Sequence, residues 1–222
     1  MNNDKRLIFR NGEIVAIIDD YADKVFENIE ELIIHQGLDP VELEDTSLKL
    51  IPTGTIALSS GYLQNLSTLK RNGDVTVTYY SSSSTLEINV PIKFETLTVS
   101  YEYLTKILLL RIKGEAHGKV ENLNIDVRLG FNFTTYEASL DNFDIGNTGK
   151  LSLIFTGNGL VDWIVNIMTT VVTTFLKPVI LNMTKSVIRG GLQAALDAIN
   201  SYIHSIIHPG VSTVANNLIA VL

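Results

Sequence analysis

The sequence predicts an α+β fold in which a long, curved antiparallel sheet wraps a long C-terminal helix and a shorter N-terminal one. Three patterns predict it. Apolar residues recur at helical spacing from about Leu160 to Tyr202. Before them, period-2 strand patterns dominate about 110 residues. A second helical pattern, acidic on one side, runs from Gly12 or Glu13 to Gln36. The order is therefore helix, strands, helix, with both helices burying stripes on the sheet's inner face.

The C-terminal helix has the widest apolar surface. One row contains Leu160, Ile164, Met168, Val171, Phe175, Val179, Met183, Leu192, Leu196 and Ile199, and a second contains Trp163, Ile167, Val172, Leu176 and Ile180. So broad a stripe predicts a helix covered on most sides. Pro178 should kink it and Gly190-Gly191 soften it, giving two or three pieces on a curve. Gly157-Asn158-Gly159 is the turn before it. The N-terminal helix should bury Ile14, Ile18, Tyr21, Val25, Ile29 and Leu32 and expose Asp19, Asp20, Glu27, Glu30 and Glu31, stopping at Gly37.

Residues 38–46 have loop composition. In the first long strand Leu86, Ile88, Val90, Ile92 and Phe94 alternate with polar residues and Pro91; in a later one Leu123, Ile125, Val127, Leu129, Phe131 and Phe133 do so with residues that include Gly130. Such alternation buries one face and wets the other, as in antiparallel sheets. Asn72-Gly73-Asp74 and Ser81 to Ser84 are expected hairpin turns. Between the two long strands, Leu108, Leu110, Ile112, Gly114, Ala116, Gly118 and Val120 form a face that shrinks from bulky to tiny. Strand glycines accompany close packing, curvature or space for a ligand.

Composition narrows the function. The 222-residue chain suits one large domain: an arm over 1–12, a domain over 13–205 and a tail over 206–222. It is 45% hydrophobic, and its mean hydropathy is +0.22, so a large core or a lined cavity must absorb apolar surface. The net charge of −7 argues against nucleic acid and against general adhesion to anionic membranes. Cysteine is absent, which excludes disulfides and thiolate chemistry. The window from Trp163 to Leu181 is long enough to cross a membrane, but Asn166, threonines, Lys177 and Pro178 argue against stable insertion. No signal peptide is visible at Met1-Asn2-Asn3-Asp4-Lys5.

No catalytic signature emerges. The chain lacks a nucleophile elbow, a dinucleotide fingerprint and a Walker sequence. His204 and His208 are four apart, but Ser205-Ile206-Ile207 between them breaks the metalloprotease pattern. No metal, cofactor or catalytic residue is expected. Sequons occur at Asn65, Asn132 and Asn182.

The segment Gly61-Tyr-Leu-Gln-Asn-Leu-Ser-Thr-Leu-Lys-Arg-Asn-Gly-Asp-Val-Thr-Val resembles a stretch of the mite group 7 allergens. The run from Leu151 through Asn158, Leu160 and Trp163 to Leu176-Lys177-Pro178 resembles the end of those allergens and of the insect takeout and juvenile-hormone-binding proteins. The resemblance spans about residues 13 to 203 and implies the tubular lipid-binding superfamily. Its fold is a super-roll, a highly curved sheet wrapped around a long helix. It implies a secreted, non-enzymatic carrier of a hydrophobic ligand such as a carotenoid, terpenoid or fatty acid. The missing cysteines depart from the N-terminal disulfide of takeout proteins and argue against juvenile hormone.

The expected lining comprises Ile18, Tyr21 and Val25 from the first helix. From the sheet it takes Ile88, Val90, Ile112, Val127, Leu129 and Phe131. From the long helix it takes Trp163, Ile167, Met168, Val171 and Phe175. Two alternatives stand beside a carrier. One is recognition of bacterial lipid. The other is a structural protein without a cavity, with Val211, Val214, Leu218 and Val221 of the tail making a homodimer contact.

Overall fold

The computed structural model describes residues 7–10, 13–51 and 54–207. Among these, ten strands form one antiparallel sheet. They are β1 (Leu7–Arg10), β2 (Glu13–Ile17), β3 (Val41–Leu43), β4 (Thr46–Leu50), β5 (Gly54–Gln64), β6 (Lys70–Arg71), β7 (Thr76–Tyr80), β8 (Thr85–Ile107), β9 (Leu110–Asn132) and β10 (Glu137–Phe155). Two α-helices accompany them, α1 (Asp19–His35) and α2 (Asp162–Ile207). A 3-10 turn spans Leu66–Thr68.

β8 and β9 are the spine, paired from Thr85↔Asn132 to Ile107↔Leu110. On the other side of β8, β7 pairs near Thr85, β6 in the middle and β5 towards Ile107. Register shifts in β5 after Ser59 and in β10 after Leu140 and Asp144 mark bulges, which bend the strands that carry them. The curved sheet and two helices are the predicted super-roll.

Several local expectations change. Glu13–Ile17 is strand, because Ile14, Val15 and Ile17 are β-branched and pair with Thr76–Tyr80. Leu7–Arg10, expected as an arm, pairs with that strand. Asn72-Gly73-Asp74 is no hairpin turn: β6 and β7 lie end to end along β8 instead of against each other. The Ser81–Ser84 turn does join paired strands. Val41–Leu43, expected as loop, pairs with β5.

α1 buries Ala22, Phe26 and Ile33; of the expected row only Ile18 and Ile29 pack against the core, half-buried, while Ile14, Tyr21, Val25 and Leu32 are exposed. Two apolar rows stand side by side at helical spacing, and the bulkier aromatic Phe26 takes the core. Arg71 fastens the helix, its guanidinium 3.0 Å from Asp19 and 2.9 Å from Asp23. That contact holds the Asp23 carboxyl below the usual range.

α2 runs unbroken through Pro178 and Gly190-Gly191, so the expected division into pieces does not occur. Its 46 residues span about 69 Å. Thr105 Oγ1 donates to Met168 Sδ near the start of the helix, and Asn200 near its end bonds both backbone groups of Ala138. β10 runs from Ala138 towards Thr156, so α2 returns antiparallel along this edge strand. By length and hydropathy α2 would pass as a membrane span; here a ridge of it is packed on the sheet.

The tiny face of β9 shows how the chain enters α2. A Cβ on Gly114 would lie 1.7 Å from the Thr156 carbonyl oxygen, and one on Gly118 would meet Val99 and Leu153. At Gly114 the backbone leaving β10 crosses onto the inner face. These glycines accommodate protein, not ligand. The tail from 208 to 222, with His208, lies outside the described residues, and 206–207 still belong to α2.

Candidate functional site

The interior divides along the length of β8 and β9. Between Ile92 and Ile107 on β8, and between Ile112 and Val127 on β9, nearly every inward residue is buried. Phe94, Leu97, Leu123 and Ile125 have no exposure at all, and Ile164, Met168 and Val172 of α2 close over this part of the molecule. Towards Thr85 and Asn132 the same inner rows open. Ile88, Val90, Leu129, Phe131, Leu140 and Phe143 are only half-buried. Ile88↔Leu129↔Leu140 and Val90↔Val127↔Phe143 are cross-strand rows, so these side chains share one apolar face.

α2 passes above that face. Lys185 Nζ lies 6.0 Å from the centre of the Phe143 ring, which sets this turn of the helix over the Val90–Val127–Phe143 row. The neighbouring Met183, Val187 and Leu192 are half-buried and belong to the same apolar cluster. The two apolar surfaces face each other here: Ile180, Thr184 and Ile188 are buried in the ridge of the helix, and the residues flanking them stay half-buried. An open hollow of about 440 Å³ lies along α2 itself, lined by Asn182, Lys185, Ser186, Arg189, Gly190 and Gln193. The hollow carries two cations and two amides, of which Lys185 reaches the sheet at Phe143.

The expected lining residues separate on this geometry. Ile88, Val90, Leu129 and Phe131 are brought together on the open face. Ile112, Val127 and Met168 are fully packed core. Ile167, Val171 and Phe175 are half-buried on the first half of α2, and Ile18 is half-buried just ahead of α1. Tyr21 is 68% exposed and Val25 38%, so neither lines the interior. Trp163 is 48% exposed at the start of α2, away from the open face. Met183, Val187 and Leu140, absent from the expected lining, are half-buried against the same cluster. The half-filled stretch has no signature of its own, because the same alternation encodes packed core and open trough.

Histidines and carboxylates gather nowhere in the trough. His117 contacts Glu115 at 2.9 Å on the outer surface, and His35 ends α1. Among the described residues no three His, Cys, Asp or Glu side chains are grouped as metal ligands.

A curved antiparallel sheet with a long helix laid along it is the fold the sequence predicts. The sequence profile of the group 7 allergens matches residues 17–196, and the chain belongs to that family. Among solved structures, the chain is similar to lipopolysaccharide binding protein at 19% identity and a TM-score of 0.51, over 83% of this chain and 41% of that one. It is also similar to Takeout 1 of Epiphyas postvittana at 16% identity and a TM-score of 0.42, over 79% of this chain and 90% of that one. No curated protein matches the sequence.

Proposed function

We propose that the protein is a non-catalytic, secreted carrier that holds a long apolar ligand between α2 and the open end of the sheet. The observation that supports it most directly is the contrast along β8 and β9. Identical alternation packs to zero exposure at one end and stays only partly buried at the other. Apolar surface left unfilled costs free energy, at roughly 25 cal/mol per Å², and a ligand that covers it recovers this term. Membership of the group 7 allergen family and the tubular fold support the same reading.

The residues that would line the site are Ile88, Val90, Leu129 and Phe131 from the sheet, with Met183 and Val187 from the helix. Lys185, which lies against Phe143, and Arg189, one turn further along α2, would favour a ligand with an anionic end. Of the ligand classes considered, a fatty acid fits that pair better than a hydrocarbon carotenoid, which has no group to offer them.

Titration of the delipidated protein with a fluorescent fatty acid tests this. Saturable uptake is expected, and Val187→Trp, which fills the trough without opening a cavity, should weaken it at least tenfold. Lys185→Ala should weaken a fatty acid more than its alcohol. A wild-type protein that takes up no apolar probe would remove the carrier reading.

A further inference from the structure

The end of the sheet opposite the open trough has an apolar tip and a basic collar behind it. β8 and β9 are joined by two residues, Leu108 and Leu109, which are 77% and 99% exposed. Leu108 has φ +55°, a conformation in which glycine is the usual occupant of a tight hairpin. A leucine there opposes both turn preference and solubility. Leu50, Gly54, Ile107 and Leu110 form one cross-strand row. Ile51 and Leu108 therefore leave the sheet from the same row, about 10 Å apart, and Ile51 is 80% exposed. Gly159 abuts Ile112, so the start of α2, with Trp163, stands at this end too.

One register behind the tip, Lys49, Thr55, Lys106 and Arg111 pair in succession on the exposed outer face. Lys113 adds a fourth cation two residues further along β9. None of the four cations forms an ion pair with another described residue. The first carboxylates behind them on these long strands are the paired Glu102 and Glu115, and Asp162 sits at the start of α2. This cationic collar belongs to a chain whose net charge is −7.

We propose that this end docks reversibly on an anionic lipid surface. An apolar tip followed by a band of cations repeats the layering of a membrane interface, where acyl chains lie beneath anionic headgroups. The acidic remainder of the chain, including the wet face of α1, is repelled by the same surface and orients the tip towards it. The charge of the whole chain disfavours general adhesion; the collar restricts contact to one end. Docking does not depend on ligand carriage, because the tip and the trough share no residue.

The test is flotation of the delipidated full chain with phosphatidylcholine vesicles, with and without phosphatidylserine. Binding is expected only with phosphatidylserine and should weaken as salt is raised. Brominated lipid should quench Trp163, the only tryptophan. Leu108→Asn with Leu109→Asp should reduce binding at least tenfold with unchanged circular dichroism. Lys106→Gln and Arg111→Gln should each reduce it about fivefold. Absence of wild-type binding, equal binding to uncharged vesicles, or full binding by the double leucine variant would overturn the proposal. A dimer in sedimentation velocity that the leucine variant dissolves, without vesicle binding, would assign the tip to a second copy and also overturn it.

Discussion

Gly61 and Tyr101 illustrate how single residues shape the interior. A Cβ on Gly61 would lie 2.2 Å from the Tyr101 ring, so the strand passes beneath the phenol only because residue 61 has no side chain. This gives a physical reason for a glycine that sequence resemblance merely matched. Gly61→Ala should destabilise the fold by about 1–3 kcal/mol through overpacking, which thermal or urea unfolding would measure. Tyr101 itself donates to the Glu44 carbonyl at 3.1 Å. Burial, with Asp45 and Glu44 adding to it, pushes its pKa up to about 12. Between pH 10 and 12 the unfolded chain releases this proton and the folded one keeps it. The unfolded state then binds fewer protons, so stability falls as pH rises, by about 1.4 kcal/mol per unit from this group. Burial raises Tyr103 as well, which steepens the fall. Tyr101→Phe should cost about 1 kcal/mol at neutral pH and flatten the alkaline loss. Parallel pH profiles for variant and wild type would contradict this.

At the scale of elements, α2 shows why period alone misjudged its surroundings. Its buried residues are Ile164, Met168, Val172, Leu176, Ile180, Thr184 and Ile188, a strict step of four, followed by Leu196. On a straight α-helix each step of four overshoots a turn by about 40°. The buried ridge therefore winds around the helix as the twisted sheet winds beneath it. Apolar residues then appear on every side of a helical projection, although only one ridge is covered at any level. The same effect hid the register of α1, where two adjacent rows offered equal periodicity and packing chose Phe26. Long strands were easier to recognise, because alternation fixes a face without depending on what covers it. The turn at Asn72-Gly73-Asp74 was misread since local chemistry marks a bend but not its partner strand. Gly190 has nothing within 4 Å of an added Cβ and no left-handed backbone. Gly190→Ala should therefore stabilise the protein by about 0.8–1 kcal/mol, raising the thermal midpoint. A lower midpoint would mean that this turn of α2 is not helical in solution.

The whole molecule has two unlike ends. One is closed, with a dry core under the first turns of α2 and an apolar tip beyond it. At the other, among the described residues, half-buried apolar rows flank the buried ridge of Ile180, Thr184 and Ile188, and Lys185 lies against Phe143. The sequence announced the super-roll through its order of elements and its excess of apolar residues. It did not announce which half is filled, since Val127 at 1% exposure and the half-buried Leu129 are neighbours in one unbroken alternation. How completely a row is covered is a property of the assembled layers, which the alternation does not encode. An apolar ligand held in this space would travel with the protein. Native mass spectrometry of the protein purified from its source, with an absorbance spectrum of the same sample, tests it most directly. A retained small-molecule mass that organic solvent removes is expected, without visible absorbance if the cargo is a fatty acid. A clean apo mass, with no uptake from a total lipid extract, would contradict it.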